Sequence, residues 1–153
     1  HGGGNIKIWR SFSGRGVGPV RKVQGNLDQH QYKAILEETM LPYVEEHLLI
    51  IWTFQQDNDP KHTAHSVKSF LTSQFVSVLD WPANSPDLNP IEHLWHEIKK
   101  KVATYRNTNL DELHEAFCEA WANIPVEACQ KLIMSMPHRC QAVITNKSFA
   151  TGY

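Results

Sequence analysis

Gln56-Asp-Asn-Asp-Pro-Lys-His-Thr63 and Trp81-Pro-Ala-Asn-Ser-Pro-Asp-Leu-Asn-Pro-Ile-Glu-His-Leu-Trp95 carry two acids, Asp57 and Glu92, around which the remaining elements fall into place. The first stretch follows the apolar run Leu48-Leu-Ile-Ile-Trp-Thr-Phe54, which has no alternation, as expected of a strand covered on both faces. Asp57 is therefore expected where a buried strand opens into a loop. The second stretch contains Asn89-Pro-Ile-Glu92, which has the form of a helix start: asparagine as N-cap, proline at the first helical position, an acid in the first turn. One acid at a strand end and one in a first turn can converge on a single cleft, and such a carboxylate pair suits a hard divalent cation.

Each acid also has a purely structural use. Glu92 lies three residues after Asn89, the capping-box position, where a glutamate satisfies backbone donors. Asp57 can be a turn aspartate that accepts from its own backbone two residues on. The local pattern leaves both uses open.

The surrounding words narrow them. The two stretches closely resemble the second and third acidic motifs of the Tc-like branch of the Tc/mariner superfamily of DNA transposases, and the thirty-four residues between Asp57 and Glu92 match the spacing of that branch. The resemblance runs from His1-Gly-Gly-Gly4 to Thr151-Gly-Tyr153, almost the whole chain. It implies a ribonuclease-H-like α/β fold, a mixed sheet flanked by helices. It also implies three acids, Asp, Asp and Glu, that bind two Mg²⁺ or Mn²⁺ ions, which activate water and then a DNA 3′-hydroxyl for in-line attack on phosphodiesters. Carried over by position, Asp57 is the second acid and Glu92 the third, both catalytic and both metal-ligating. Lys61 and Lys99 are the expected phosphate contacts on DNA, and Asn58 and His62 the expected supports of the site. The implied partners are transposon ends and target DNA, with further copies of the intact protein, and the implied location is the nucleus.

In the family the first acid lies on the first central strand, upstream of the turn at which this chain begins. Asp28, Asp59, Asp80 and Asp87 are all in the wrong place to substitute for it. The chain also lacks an initiating Met, and the family's N-terminal helix-turn-helix region is not in it. The expectation is an N-terminally truncated, partial catalytic domain over residues 1–153, lacking the first central strand, with weak metal binding and no cutting of DNA on its own. Loss of that strand is expected to expose the ladder edges of its neighbours. A second departure is Trp9-Arg10-Ser11, where the Tc-like pattern has Trp-Gly-Cys.

The totals agree with one modest domain. The chain has 153 residues, 41% of them hydrophobic, a formal charge of −1 and a pI near 6.8, so it carries no broadly basic coat for nucleic acid. Contact with DNA must come from local basic clusters and bridging metal. Cys118, Cys129 and Cys140 are an odd number without paired-ligand spacing, which favours reduced thiols of an intracellular protein over a disulfide frame. No apolar run is long enough to cross a membrane.

Periodicity supplies the other elements. A glycine turn leads into a strand over 5–12 in which Ile6, Ile8 and Arg10 share one side, and glycines 14, 16 and 18 fit a hairpin connection to Pro19–Gln24. Asp28 caps a helix with Tyr32, Ile35, Leu36 and Met40 on one face, which Pro42 ends or bends. A helix over 62–74 and a short strand over 76–81 follow, then a proline-bounded loop over 82–90. The helix over 90–105 has the clearest stripe, Ile91, Leu94, Trp95, Ile98, Val102 and Tyr105, with Glu92 near its edge and Lys99 on the same flank. Asn109 opens another helix with Leu113, Ala116, Phe117, Ala120 and Trp121, and a last one after Pro125 carries Val126, Cys129, Leu132 and Ile133. Trp121 reads as a packing anchor.

Three other classes touch these residues. A transposase-derived module that binds DNA or protein without catalysis fits the lacking acid and Trp9-Arg10-Ser11. A transition-metal hydrolase built on His62, His65, His93 and His96 has little support, since His93 and His96 point about sixty degrees apart on a helix and no His-Glu-x-x-His occurs. An esterase reading of His1-Gly-Gly-Gly4 fails for want of a Gly-x-Ser-x-Gly elbow.

Overall fold

The computed structural model describes residues 6–48, 51–57, 59–79, 89–106, 108–139 and 141. They fall into two compact units, one made of residues 1–23 with 90–136 and the other of residues 24–89 with 137–153.

The first unit packs a hairpin on three helices. Strands β1 (Ile8–Ser13) and β2 (Gly16–Lys22) pair antiparallel, and the register shifts between Arg10 and Phe12. The turn is tighter than expected: it needs only Gly14 and Arg15, and Gly16 and Gly18 lie within β2. Gly16 has φ +121°, open only to glycine, and a Cβ on Gly18 would stand 2.5 Å from Ser11 Oγ and 3.1 Å from its carbonyl oxygen. The glycines thus serve the bulged pairing itself.

Helix α5 runs Ile91–Val102, α6 Leu110–Ala122 and α7 Val126–Met134. Their apolar faces meet Ile8 of β1 in a core of Leu94, Trp95, Ile98, Val102, Ala116, Ala120, Trp121 and Cys129. Each large aliphatic or aromatic side chain fully buried there contributes about 1.5–3 kcal/mol. Trp121 is the expected anchor: it is buried, stands edge-on to Trp95 at 6.1 Å, and its indole N–H donates to Gly18 O at 3.1 Å. Val126 and Ile133, expected in the core, are instead partly exposed on α7, near Gly16 and Gly14 at the hairpin turn. Tyr105 lies beyond the end of α5 and is exposed too.

In the second unit the helix capped by Asp28, whose side chain accepts from Gln31 N at 2.8 Å, continues past Pro42. It passes from α1 (Gln29–Ile35) through a π-turn over Leu36–Met40 into α2 (Leu41–His47). A wider turn just before Pro42 lets the chain stay helical where a regular turn would meet the missing N–H and the ring clash. The expected helix over 62–74 is split into α3 (Pro60–Thr63) and α4 (His65–Ser73), because Ala64 leaves the helical region at ψ 146°. Tyr32, Ile35, Leu36, Met40, Val67, Phe70 and Leu71 are the buried residues of these helices, with Val44 of α2.

The expected strands over 48–56 and 76–81 are reduced, among the described residues, to one parallel bridge between Phe54 and Val78, with Phe54 N donating to Ser77 O and Leu79 N to Phe54 O, both at 2.8 Å. Ile51, expected to be covered on both faces, is 92% exposed. An apolar run becomes a regular strand only where a neighbour continues its ladder, and here 76–79 offers a single bridge. The loop expected over 82–90 lies almost wholly outside the described residues, as does Cys140. No helix among the described residues is long and apolar enough to cross a membrane.

Candidate metal centre

Asp57 is placed by the bridge strand before it and the short helix after it. Its Oδ1 accepts from Asp59 N at 3.0 Å and faces His62 Nδ1 at 2.5 Å. Asp57 therefore makes the two-residue turn contact, and the same oxygen meets His62. Neither contact engages Oδ2, and 46% of the side chain is exposed. Asp59 caps α3 through Lys61 N at 3.1 Å, and Pro60 begins that helix with the fixed φ and missing N–H suited to its first turn.

His62 is held in turn. The ring of Tyr32 stacks on it, Tyr32 Oη donates to Gln56 Oε1 at 2.6 Å, and Gln56 Nε2 donates to His62 O at 3.3 Å. Burial, then the charges of Asp57 and Asp59, push the Tyr32 phenol far above its ordinary pKa, so it stays a donor. Lys61, an expected DNA contact, lies 2.7 Å from Asp59 Oδ2. Burial pushes the Asp59 carboxyl up, but the hydrogen bonds and charge of Lys61 outweigh it and hold its pKa below the ordinary value. Asn58 lies outside the described residues.

Glu92 belongs to the other unit, on the first turn of α5. Pro90, rather than Asn89, occupies the N-cap of that helix, and the Glu92 carboxylate faces Arg10. Arg10 Nη2 lies 3.3 Å from one carboxylate oxygen and 3.5 Å from the other. The guanidinium sits 4.2 Å over the Trp95 ring, and its Nη1 donates to Ile8 O at 3.2 Å. Burial lowers the Arg10 pKa and the Glu92 charge opposes this; an arginine remains a cation at any working pH. The sequence showed Arg10 as a departure on an inward face. It gave no sign of Glu92 as the partner, since the two are eighty-two residues apart. Lys99 is exposed on the last turns of α5.

The family model described as DDE superfamily endonuclease matches residues 3–114. The chain belongs to that family. It is 45% identical over 153 residues to the transposable element Tc1 transposase of Caenorhabditis elegans, and 42% identical over the same length to the Tcb1 transposase of Caenorhabditis briggsae. Each match covers all of this chain and 56% of the relative, so the chain spans little more than half the length of these relatives. Among solved structures it is similar to the Mos1 transposase catalytic domain with raltegravir and Mg, at TM-score 0.78 and 21% identity over 94% of this chain and 76% of that one. The Mos1 paired-end complex with the left transposon end gives TM-score 0.86 at 20% identity over 95% of this chain and 44% of that one. The Tc/mariner resemblance and the α/β catalytic-domain fold read from the two acidic motifs are thus borne out.

The donor chemistry fits the hard divalent ions with which that Mos1 domain was solved, Mg in one structure and Mn in another. Asp57 and Glu92 both offer accessible carboxylate oxygens, with 46% and 59% of their side chains exposed. Among the described residues no three His, Cys, Asp or Glu side chains cluster closely enough to form a metal site, which leaves the four histidines of the hydrolase reading without one.

Proposed function

We propose that the chain is the larger part of a cut-and-paste transposase catalytic domain, and that Asp57 and Glu92 are two of the three acids that hold Mg²⁺ or Mn²⁺ for cleavage and joining of DNA strands. The observation that carries this is the family match, whose span of residues 3–114 includes both acids and the long motifs around them. When bound, a pair of divalent ions supplies a metal-activated water or 3′-hydroxyl and neutralises charge on the phosphodiester under attack. The chain's own residues do the positioning. His62 and the Asp59 backbone N–H fix Asp57 through Oδ1 and leave Oδ2 to point elsewhere. The first turn of α5 fixes Glu92 at the edge of a buried face.

Lys99, and Lys61 once displaced from Asp59, are the phosphate contacts on transposon-end and target DNA. The protein that carries this chain then acts on chromosomal DNA in the nucleus, as a multimer that brings two transposon ends together. Support for the DNA partner comes from the Mos1 paired-end and strand-transfer complexes.

The test is Mg²⁺- or Mn²⁺-dependent nicking of a duplex bearing the element's own ends by the whole protein that carries this chain. Asp57→Asn and Glu92→Gln should each reduce cleavage to background while DNA binding persists. Cleavage by either variant at the parental rate overturns the reading. A second reading, a transposase-derived module without catalysis, is favoured by one observation, the cation that Arg10 places on Glu92. It predicts DNA binding without cleavage in the unsubstituted protein.

A further inference from the structure

We infer that Arg10 is an internal counter-cation that competes with a divalent metal ion for the Glu92 carboxylate, so that this chain carries its own brake on metal loading. The inference rests on the reading of Glu92 as a ligand and adds a residue outside both acidic motifs. Arg10 Nη2 faces both carboxylate oxygens, at 3.3 and 3.5 Å. A guanidinium cation set against both oxygens opposes a second cation on the same carboxylate.

Two features make Arg10 a fixture of the site. It is held over the Trp95 ring at 4.2 Å and tied by Nη1 to Ile8 O, with only 20% of its side chain exposed. Trp95 is itself a core residue, stacked on Phe117 at 5.0 Å. A guanidinium so placed stays near the carboxylate when an ion arrives and repels it. The brake is nevertheless releasable. One nitrogen shared between two oxygens at these distances is a longer contact than the bidentate fork of a strong arginine–carboxylate pair, and among the described residues the buried Nε has no hydrogen-bond partner to anchor it. With 59% of the Glu92 side chain exposed, an ion can approach from solvent, and two charges outbid one at equal distance. Exposed ion pairs of this kind are weak, so the expected effect of removing the competitor is a few-fold change in affinity.

Arg10→Gln keeps much of the side-chain length and removes the charge. In the whole protein that carries this chain, titration of Mn²⁺ followed by the electron paramagnetic resonance of the free ion should show about two- to five-fold tighter binding for Arg10→Gln. Glu92→Gln should bind more weakly than the parent, and the double variant like Glu92→Gln alone. The unsubstituted protein provides a second readout if Arg10→Gln fails to fold. Mg²⁺ at the concentration that shifts the Glu92 carboxyl carbon in its nuclear magnetic resonance spectrum should also shift the Arg10 guanidinium resonances and speed their exchange. If Glu92→Gln weakens Mn²⁺ binding while Arg10→Gln leaves it unchanged or weakens it, or if Mg²⁺ moves Glu92 and leaves Arg10 unaltered, the brake is overturned and the ligand reading stands. If Glu92→Gln binds Mn²⁺ as the parent does, the ligand reading fails and the brake with it.

Discussion

The ring of Tyr32 lies on the imidazole of His62, with centroids 4.2 Å apart and planes inclined by 29°, on the side chain whose Nδ1 meets Asp57. A carboxylate expected to hold metal is thus aimed from α1, twenty-five residues earlier in the chain. Tyr32→Phe keeps the stack and loses the donor to Gln56, which should cost about 1 kcal/mol in chemical denaturation. The phenol also gives a pH signature. Its folded pKa is raised, so its contribution is full below pH 10, the ordinary tyrosine value, and is lost as the pH rises above it. Stability should fall above that pH in the parent and fall less steeply in Tyr32→Phe.

Phe75 ends α4 where glycine belongs. It sits at φ 56°, with Val76 N donating to Leu71 O at 3.0 Å and Phe75 N to Thr72 O at 3.1 Å, the paired bonds of a Schellman motif. The ring gains nothing from burial, being 95% exposed. Phe75→Gly should therefore stabilise the protein by about 1 kcal/mol in thermal denaturation, the left-handed strain being removed. A loss of stability would show that the ring packs in solution.

Gly18→Ala tests the bulged hairpin. A methyl there meets Ser11 Oγ at 2.5 Å and the Ser11 carbonyl oxygen at 3.1 Å, and Gly18 O is also the acceptor of the Trp121 indole. Overpacking at such a point should destabilise by about 1–3 kcal/mol. Adding Ser11→Gly removes the nearer clash and should recover part of that loss.

The start of α6 titrates. Asn109 Oδ1 accepts from Glu112 N at 2.9 Å, and Glu112 Oε2 accepts from Thr108 N at 2.7 Å and Thr108 Oγ at 2.8 Å. The Thr108 backbone bond, then its hydroxyl, hold the Glu112 carboxyl below its ordinary pKa. A depressed acid stabilises above its unfolded pKa and loses that contribution as the pH falls through the folded value. The protection factor of the Thr108 amide, the intrinsic exchange rate divided by the observed rate at the same pH, should therefore fall on acidification, and Glu112→Ala should show that lower protection at neutral pH as well.

Much of this was legible in the chain, for physical reasons that differ by element. The faces of α5 and α6 could be read because helical period and burial coincide there, as Leu94, Trp95, Ile98 and Trp121 show. Asp28 and Asn109 were readable as caps because capping is local. The run over 48–56 reads as a strand covered on both faces yet makes, among the described residues, a single bridge at Phe54, because a ladder depends on what lies beside it. The π-turn before Pro42 leaves no mark in apolar spacing. Near Asp57, the contact with His62 spans only five residues, whereas the Arg10–Glu92 pair depends on how β1 is laid against α5.

The central claim is the proposal that Asp57 and Glu92 both belong to the set of acids that holds divalent metal. Fe²⁺ in place of Mg²⁺, with ascorbate and peroxide, cuts a protein backbone only beside the bound metal. In the whole protein that carries this chain, cuts should appear around residue 57 and around residue 92 together, fade together under excess Mg²⁺, and vanish together in Asp57→Asn or Glu92→Gln. Cutting at one acid and not the other, or at both with only one responding to these substitutions, would contradict it.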